Sequence, residues 1–165
     1  MASGVHLIDS SNKYKQAKVY VSPQLDATTL RHEYARADIQ FHNVDHSEAS
    51  YQALVFLNNE KATSETPTDD ANGYAGSFYV FGHGGCFGDE GHCEVPATRR
   101  PYDPRLSHPL RKALKIVIAT DAIRRATEKG KTFTITVVPI VTAATNRCNI
   151  DEVFHCEYIR VMAYR

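Results

Sequence analysis

Long apolar runs are missing from this sequence. No stretch approaches the roughly 20 apolar residues that a membrane-spanning helix needs. The opening, Met1-Ala2-Ser3-Gly4-Val5-His6-Leu7-Ile8-Asp9, lacks the apolar segment of a secretion signal. The chain is therefore expected to be soluble and cytoplasmic, with no membrane role. An excess of either charge is missing as well: 19 Lys and Arg balance 19 Asp and Glu, so no basic footprint points to nucleic acid. Tryptophan is absent, which excludes nothing. Cysteine is scarce, and four Cys among 165 residues cannot make disulfides the main scaffold, although they suffice for two bridges. At this length the chain reads as one domain, 1–165, able to bury a core of its own, with 1–16 expected to be flexible.

Glycine is also sparse, but five of the nine fall in one stretch, Gly82-His83-Gly84-Gly85-Cys86-Phe87-Gly88-Asp89-Glu90-Gly91-His92-Cys93. Glycine lets a backbone fold sharply and bring side chains together at little steric cost. Imidazole and thiolate are the usual ligands of zinc and copper. The stretch therefore reads as a built site, with a disulfide-pinned turn as the alternative.

Elsewhere strand signals dominate. Ala17–Ser22 alternates and ends at Pro23, and Ala37–His42 places Ala37, Ile39 and Phe41 on one face. Ser50–Leu57 is apolar on both faces, as a central strand would be. Asn58–Gly73 is polar and reads as an exposed loop, after which Ser77–Phe81 is a strand feeding the glycine loop. Pro96–Pro109, with Arg99, Arg100 and Arg105, reads as a stiff, irregular connection covering a sheet edge. Lys115–Ile118 is a short strand. Thr120 is placed to cap a helix over 121–129 that buries Ala122, Ile123 and Ala126 and closes at Gly130. Thr132–Val138 and Glu157–Tyr164 complete the strands. About seven strands and one short helix without a βαβ rhythm predict a mainly β fold, an antiparallel, jelly-roll-like β-sandwich.

Two clusters carry possible chemistry. The first is the glycine loop, offering His83, Cys86, His92 and Cys93 to a metal, with Asp89 and Glu90 as weaker candidates for a general base beside metal-bound water. The second is Cys148-Asn149-Ile150-Asp151-Glu152-Val153-Phe154-His155-Cys156, which could add His155 or Cys156 to the ligand set. The four Cys also allow three disulfide pairings, among them the local pair Cys86–Cys93 with Cys148–Cys156. His42 and His46 share the His-x3-His spacing but fall where a strand runs into a turn. His6, His32 and His108 are isolated and read as exposed.

Several pieces then resemble a known family. Val55-Phe56-Leu57-Asn58-Asn59, Gly73-Tyr74-Ala75-Gly76-Ser77-Phe78-Tyr79-Val80-Phe81-Gly82-His83, Thr120-Asp121-Ala122-Ile123 and Thr132-Phe133-Thr134-Ile135-Thr136-Val137-Val138-Pro139 are similar, in this order, to the domain C-terminal to the copper core of tyrosinases and polyphenol oxidases. The glycine loop looks more like the version attached to bacterial tyrosinase-like proteins. The resemblance covers residues 36–164. It implies a jelly-roll-like sandwich packed against a dinuclear copper core, shielding the active site until it is removed or displaced. In fungal relatives, cysteines of this domain are implicated in handing copper to the core. Cys86 and Cys93 are the positions here that could act so, although their spacing differs from the Cys-x-x-Cys of those relatives. A copper core needs six His on a helical bundle, whereas this chain offers eight His and one helix candidate. The leading expectation is thus a copper-binding, or alternatively zinc-binding, accessory domain that caps, regulates or supplies copper to a phenol-oxidising core in the same or a neighbouring chain. The alternatives are a stand-alone copper or zinc enzyme using the His83–Cys93 loop, and a structural, disulfide-stabilised interaction domain.

Overall fold

Period-two burial along a few strands organises the molecule. The computed structural model describes residues 15–28, 30, 33–84, 102, 111–128, 130–144 and 148–165. In chain order the elements are Lys15–Gln16 (β1), Tyr20–Val21 (β2), Leu25–Asp26 (β3), Arg36–Val44 (β4), Ser50–Leu57 (β5), Tyr74–Val80 (β6), Ala113–Ile118 (β7), Thr120–Glu128 (α1), Thr132–Phe133 (β8), Ile135–Ala143 (β9) and Tyr158–Tyr164 (β10). One sheet runs β1-β9-β5-β6 with β2 also on β9, a second runs β10-β4-β7, and β3 pairs with β8. Every pairing is antiparallel. The mainly β sandwich with one short helix is the architecture that the strand pattern predicts. Among the described residues no helix is long and apolar enough to cross a membrane.

The two larger sheets share one core. β4 turns Ala37, Ile39 and Phe41 inward, and β5 meets them with Tyr51, Ala53, Val55 and Leu57, all within one buried cluster. The opposite face of β5, Leu54 and Phe56, is buried with Val138 beneath Ala62. The 58–73 loop, expected to be wholly exposed, therefore covers the second face of the central strand through that one alanine. Three rings tie the layers: Phe41 of β4 and Phe78 of β6 lie 4.9 Å apart, and Phe154 meets them at 6.0 and 6.3 Å. Tyr20 closes the far side of Phe154 at 5.5 Å.

Three local expectations need correction. Of the strand expected over 17–22 only Tyr20–Val21 (β2) pairs, with β1 lying ahead of it at Lys15–Gln16, because between them three residues (Ala17, Lys18, Val19) stand opposite two (Val138, Pro139) in the register. Pro139 has no N–H to donate. Its carbonyl accepts from Ala17 N at 2.9 Å, so its nitrogen faces the same, interrupted side. The strand expected over 132–138 breaks at Thr134, whose N–H and C=O are both taken by Asn58, at 3.1 Å each. Asn58 has φ 54°, a left-handed conformation that Asn tolerates, and its amide also donates to Ala126 O of α1. Finally, Thr120 does not cap the helix with its side chain. It is the first helical residue, and its hydroxyl accepts from Ala37 N at 3.0 Å, joining α1 to β4. Ala122, Ile123 and Ala126 are the buried stripe, as the spacing predicts. The Arg- and Pro-rich connection lies outside the described residues except for Tyr102.

Replacing Phe154 with Ala removes the ring that joins both sheets and should cost about 3–5 kcal/mol. Tyr79→Ala, at a site 57% exposed, should cost no more than about 0.5 kcal/mol. Urea unfolding with unchanged m-values checks both, and a Phe154→Ala loss as small as that of Tyr79→Ala would refute the keystone role of this ring.

Candidate functional site

At one end of the sandwich the chain leaving β6 is strapped to the β4–β5 turn. Gly82 sits against the backbone of Glu48 and Ala49 so closely that a Cβ there would collide with both. Its N–H donates to Ser50 Oγ at 2.9 Å. His83 N then donates to His46 O at 2.9 Å and Gly84 N to Glu48 O at 3.1 Å, with Gly84 at φ 71°. These bonds bring His83 against His46, the ring centres lying 4.9 Å apart and the planes 67° to one another. His83 Nδ1 donates to His46 O at 3.2 Å, and His46 Nε2 donates to Arg111 O at 2.6 Å, since a carbonyl can only accept.

The facing wall is the 148–156 segment. Val153 and Phe154 are buried in the main core and anchor it. Asn149 N donates to Glu48 Oε2 at 2.9 Å, and Asp45 N donates to His155 O at 2.9 Å. Lys15 and Lys18 reach it from the first sheet, pairing with Asp151 and Glu152 at 2.7 Å each. Such exposed pairs are screened by solvent and add little to stability. Between the walls lies a cavity of about 220 Å³ lined by Asp45, His46, Glu48, Tyr51, Asn149, Glu152 and His155, among others. Tyr51 is buried, and its hydroxyl has no hydrogen-bond partner among the described residues. Burial pushes its ionisation well up, helped by neighbouring Cys156 and Asp45.

The charges in this cavity follow from those contacts. Burial opposes ionisation of Asp45, but Ser47 N–H and hydroxyl bonds, with Lys112 and His155 nearby, outweigh it and leave the carboxyl below the usual aspartate range. The Lys18 hydrogen bond and charge likewise hold Glu152 down. Burial pushes the Cys156 thiol up.

Of the ligands that the sequence suggests, His83 is in place beside His46. Cys86, Asp89, Glu90, His92 and Cys93 lie outside the described residues, as do His6, His32 and His108. His155 is exposed at the cavity, whereas the next residue, Cys156, packs against the core near Tyr20 and Tyr51. Neighbours on an extended backbone point to opposite faces, which separates the two. Cys148 also packs on the core, and no disulfide joins it to Cys156. His42 stacks on Tyr158 at 4.4 Å and bonds Gln40, so it shares none of the contacts of His46. Among the described residues no group of three or more His, Cys, Asp or Glu side chains is set to hold a metal. His46, read from sequence as part of a turn, has its imidazole neighbour 37 positions away, across the contact that the Gly82 strap creates.

Taken together, this is an antiparallel β-sandwich module whose polar groups gather in loops at one end. The same architecture occurs in a recombinantly expressed latent aurone synthase (polyphenol oxidase), with a TM-score of 0.50 and 13% identity over 88% of this chain. Latent aurone synthase from a natural source gives 0.49 at 13% identity over 89% of the chain, and the enzyme co-crystallized with hexatungstotellurate(VI) gives 0.49 at 12% over 89%. The chain spans about a quarter of their length, 24% in each case. No protein-family model and no curated protein matches it.

Two predictions follow from the site. In a Cys86→Ser/Cys93→Ser variant unfolded without reductant, Cys156 should titrate as a thiol, having reacted slowly before unfolding; its absence from the titration would mean that it is bonded. The depressed Asp45 carboxyl binds its proton less readily folded than unfolded. Its contribution is therefore full above the unfolded aspartate value and lost as pH falls through the lower folded one. The stability gap between wild type and Asp45→Asn should close over that acid interval, and a pH-independent gap in denaturant titrations would contradict it.

Proposed function

We propose that this chain is an accessory β-sandwich of the polyphenol oxidase class, of the version attached to bacterial tyrosinase-like proteins. Its role would be to pack on a dinuclear copper core in the same or a neighbouring chain, cap or regulate phenol oxidation there, and supply copper to it. The observation that carries this reading is the fold: in the latent aurone synthase at TM-score 0.50, the matching architecture makes up 24% of a longer polyphenol oxidase chain. Two features of the chain support it. The only helix among the described residues is the nine-residue Thr120–Glu128, which leaves no helical bundle there to carry a copper pair. On the outer face of the β10-β4-β7 sheet, Leu114, Ile116 and Ile118 form an exposed apolar row along β7, and Tyr158 and Tyr164 stand on β10 across the polar Arg36, Asp38, Gln40 and His42 of β4. This is a mixed surface of apolar and polar strips, of the kind that a second protein body covers.

Transition-metal binding is the second half of the proposal. His83, Cys86, His92 and Cys93 would hold copper, or zinc in its place, with His155 and Cys156 as further ligands. His83 fits this role, since its Nδ1 is fixed by a carbonyl and Nε2 is left to coordinate. Cys156 would first have to give up a proton that burial holds on it. The metal would supply the copper to be transferred, and the chain's own groups would hold and release it.

Adding excess protein to a polyphenol oxidase copper core freed of its own sandwich should lower catechol oxidation at least tenfold. Ile116→Arg/Ile118→Arg should abolish this effect while the variant stays folded. Unchanged oxidation at saturating protein would reject the capping role, and protein purified without a metal-binding tag that takes up neither copper nor zinc would reject the metal role.

A further inference from the structure

His46 and His83 share a feature beyond their contact. Each spends one ring nitrogen on a backbone carbonyl, His46 Nε2 on Arg111 O at 2.6 Å and His83 Nδ1 on His46 O at 3.2 Å. In neutral imidazole this fixes the tautomer and leaves the lone pair of the other nitrogen, His46 Nδ1 or His83 Nε2, without a hydrogen-bond partner among the described residues. A carbonyl accepting the second N–H is the usual way in which metal-ligating histidines are oriented. The ring spacing agrees. A metal–nitrogen bond of about 2.0–2.1 Å puts each ring centre about 3.2 Å from the ion, so two rings at about 90–109° around it, from cis-tetragonal to tetrahedral, have centres about 4.5–5.2 Å apart. The observed separation is 4.9 Å, with the planes well away from parallel at 67°. The His83 ring is held to the β4–β5 turn across the Gly82 strap and the His46 ring to Arg111 ahead of β7, so a main-chain carbonyl fixes each of them.

We infer that His46 and His83 form a two-imidazole site for a divalent transition ion, taking copper(II) more tightly than zinc. His46 is then a ligand that stands outside the glycine loop and outside its own strand's His-x3-His pair. The inference rests on the proposed metal role of the 83–93 loop, and deepens it by supplying the fixed half of that site.

The test uses the full chain with Cys86→Ser, His92→Ala and Cys93→Ser together, titrated with copper(II) alone and followed by electron paramagnetic resonance. One equivalent should bind with nitrogen hyperfine coupling from two imidazoles. Adding His46→Ala or His83→Ala should weaken binding at least tenfold and remove one imidazole from the spectrum, with circular dichroism unchanged. Should wild type bind copper while the triple variant does not, or should His46→Ala leave wild-type affinity and coupling unchanged, the His46 site is refuted and the loop reading stands. If wild type binds no copper at all, both are refuted.

Discussion

Phe154 wedged between Phe41 and Phe78 is the contact on which the arrangement depends. One ring belongs to each principal sheet and the third to the segment that returns from β9 toward β10. Burying an aromatic side chain contributes a few kcal/mol, far more than the exposed lysine pairs at Asp151 and Glu152. Apolar packing therefore holds the 148–156 segment, and the polar contacts select its orientation once it is there. Because Val153 and Phe154 point inward, the residues beside them, Glu152 and His155, are presented to the cavity. The burial of this adjacent pair thus decides which polar groups face outward at the site.

Strand chemistry was legible wherever one residue type answered to one environment. The limits of β5 follow from its apolar residues on both faces, and the inward set of β4 follows from simple alternation. What the sequence could not show was competition between partners. Thr120 is a good helix cap in isolation, yet the buried Ala37 N–H needs an acceptor more than the helix end does. Thr132–Val138 alternates cleanly, yet Asn58 takes both polar backbone groups of Thr134 and interrupts the ladder. At the site, Ile150, Val153 and Phe154 were the available clue that the cysteine-bearing segment is anchored by apolar burial, three large apolar residues in a largely polar run. The pairing of His46 with His83 had no local signal, being made by the close approach at Gly82.

The cavity end and the outer sheet face divide the work in the functional reading. The first gathers His, carboxylate and phenol groups on short loops fed by rigid strands, a common arrangement for binding chemistry. The second exposes Leu114, Ile116 and Ile118 on an edge strand, with His42 stacked on Tyr158 across the sheet. A module that binds a metal at one end and covers another body with a flat face needs both. The two surfaces invoked in that proposal lie on separate elements, so either can change without dismantling the other.

The position of β9 has a consequence for biogenesis. Ile135–Ala143 lies between β5 and the paired β1 and β2, yet it is made some 80 residues after β5. On the ribosome, Ser50–Leu57 can zip only onto Tyr74–Val80, leaving one edge and an uninterrupted apolar strand open to other nascent chains. Such an intermediate is a natural client for a holdase, and slow elongation between codons 80 and 135 would lengthen its exposure. Yield in a heterologous host should therefore be set by how quickly the late strand arrives, more than by the final stability of the sandwich.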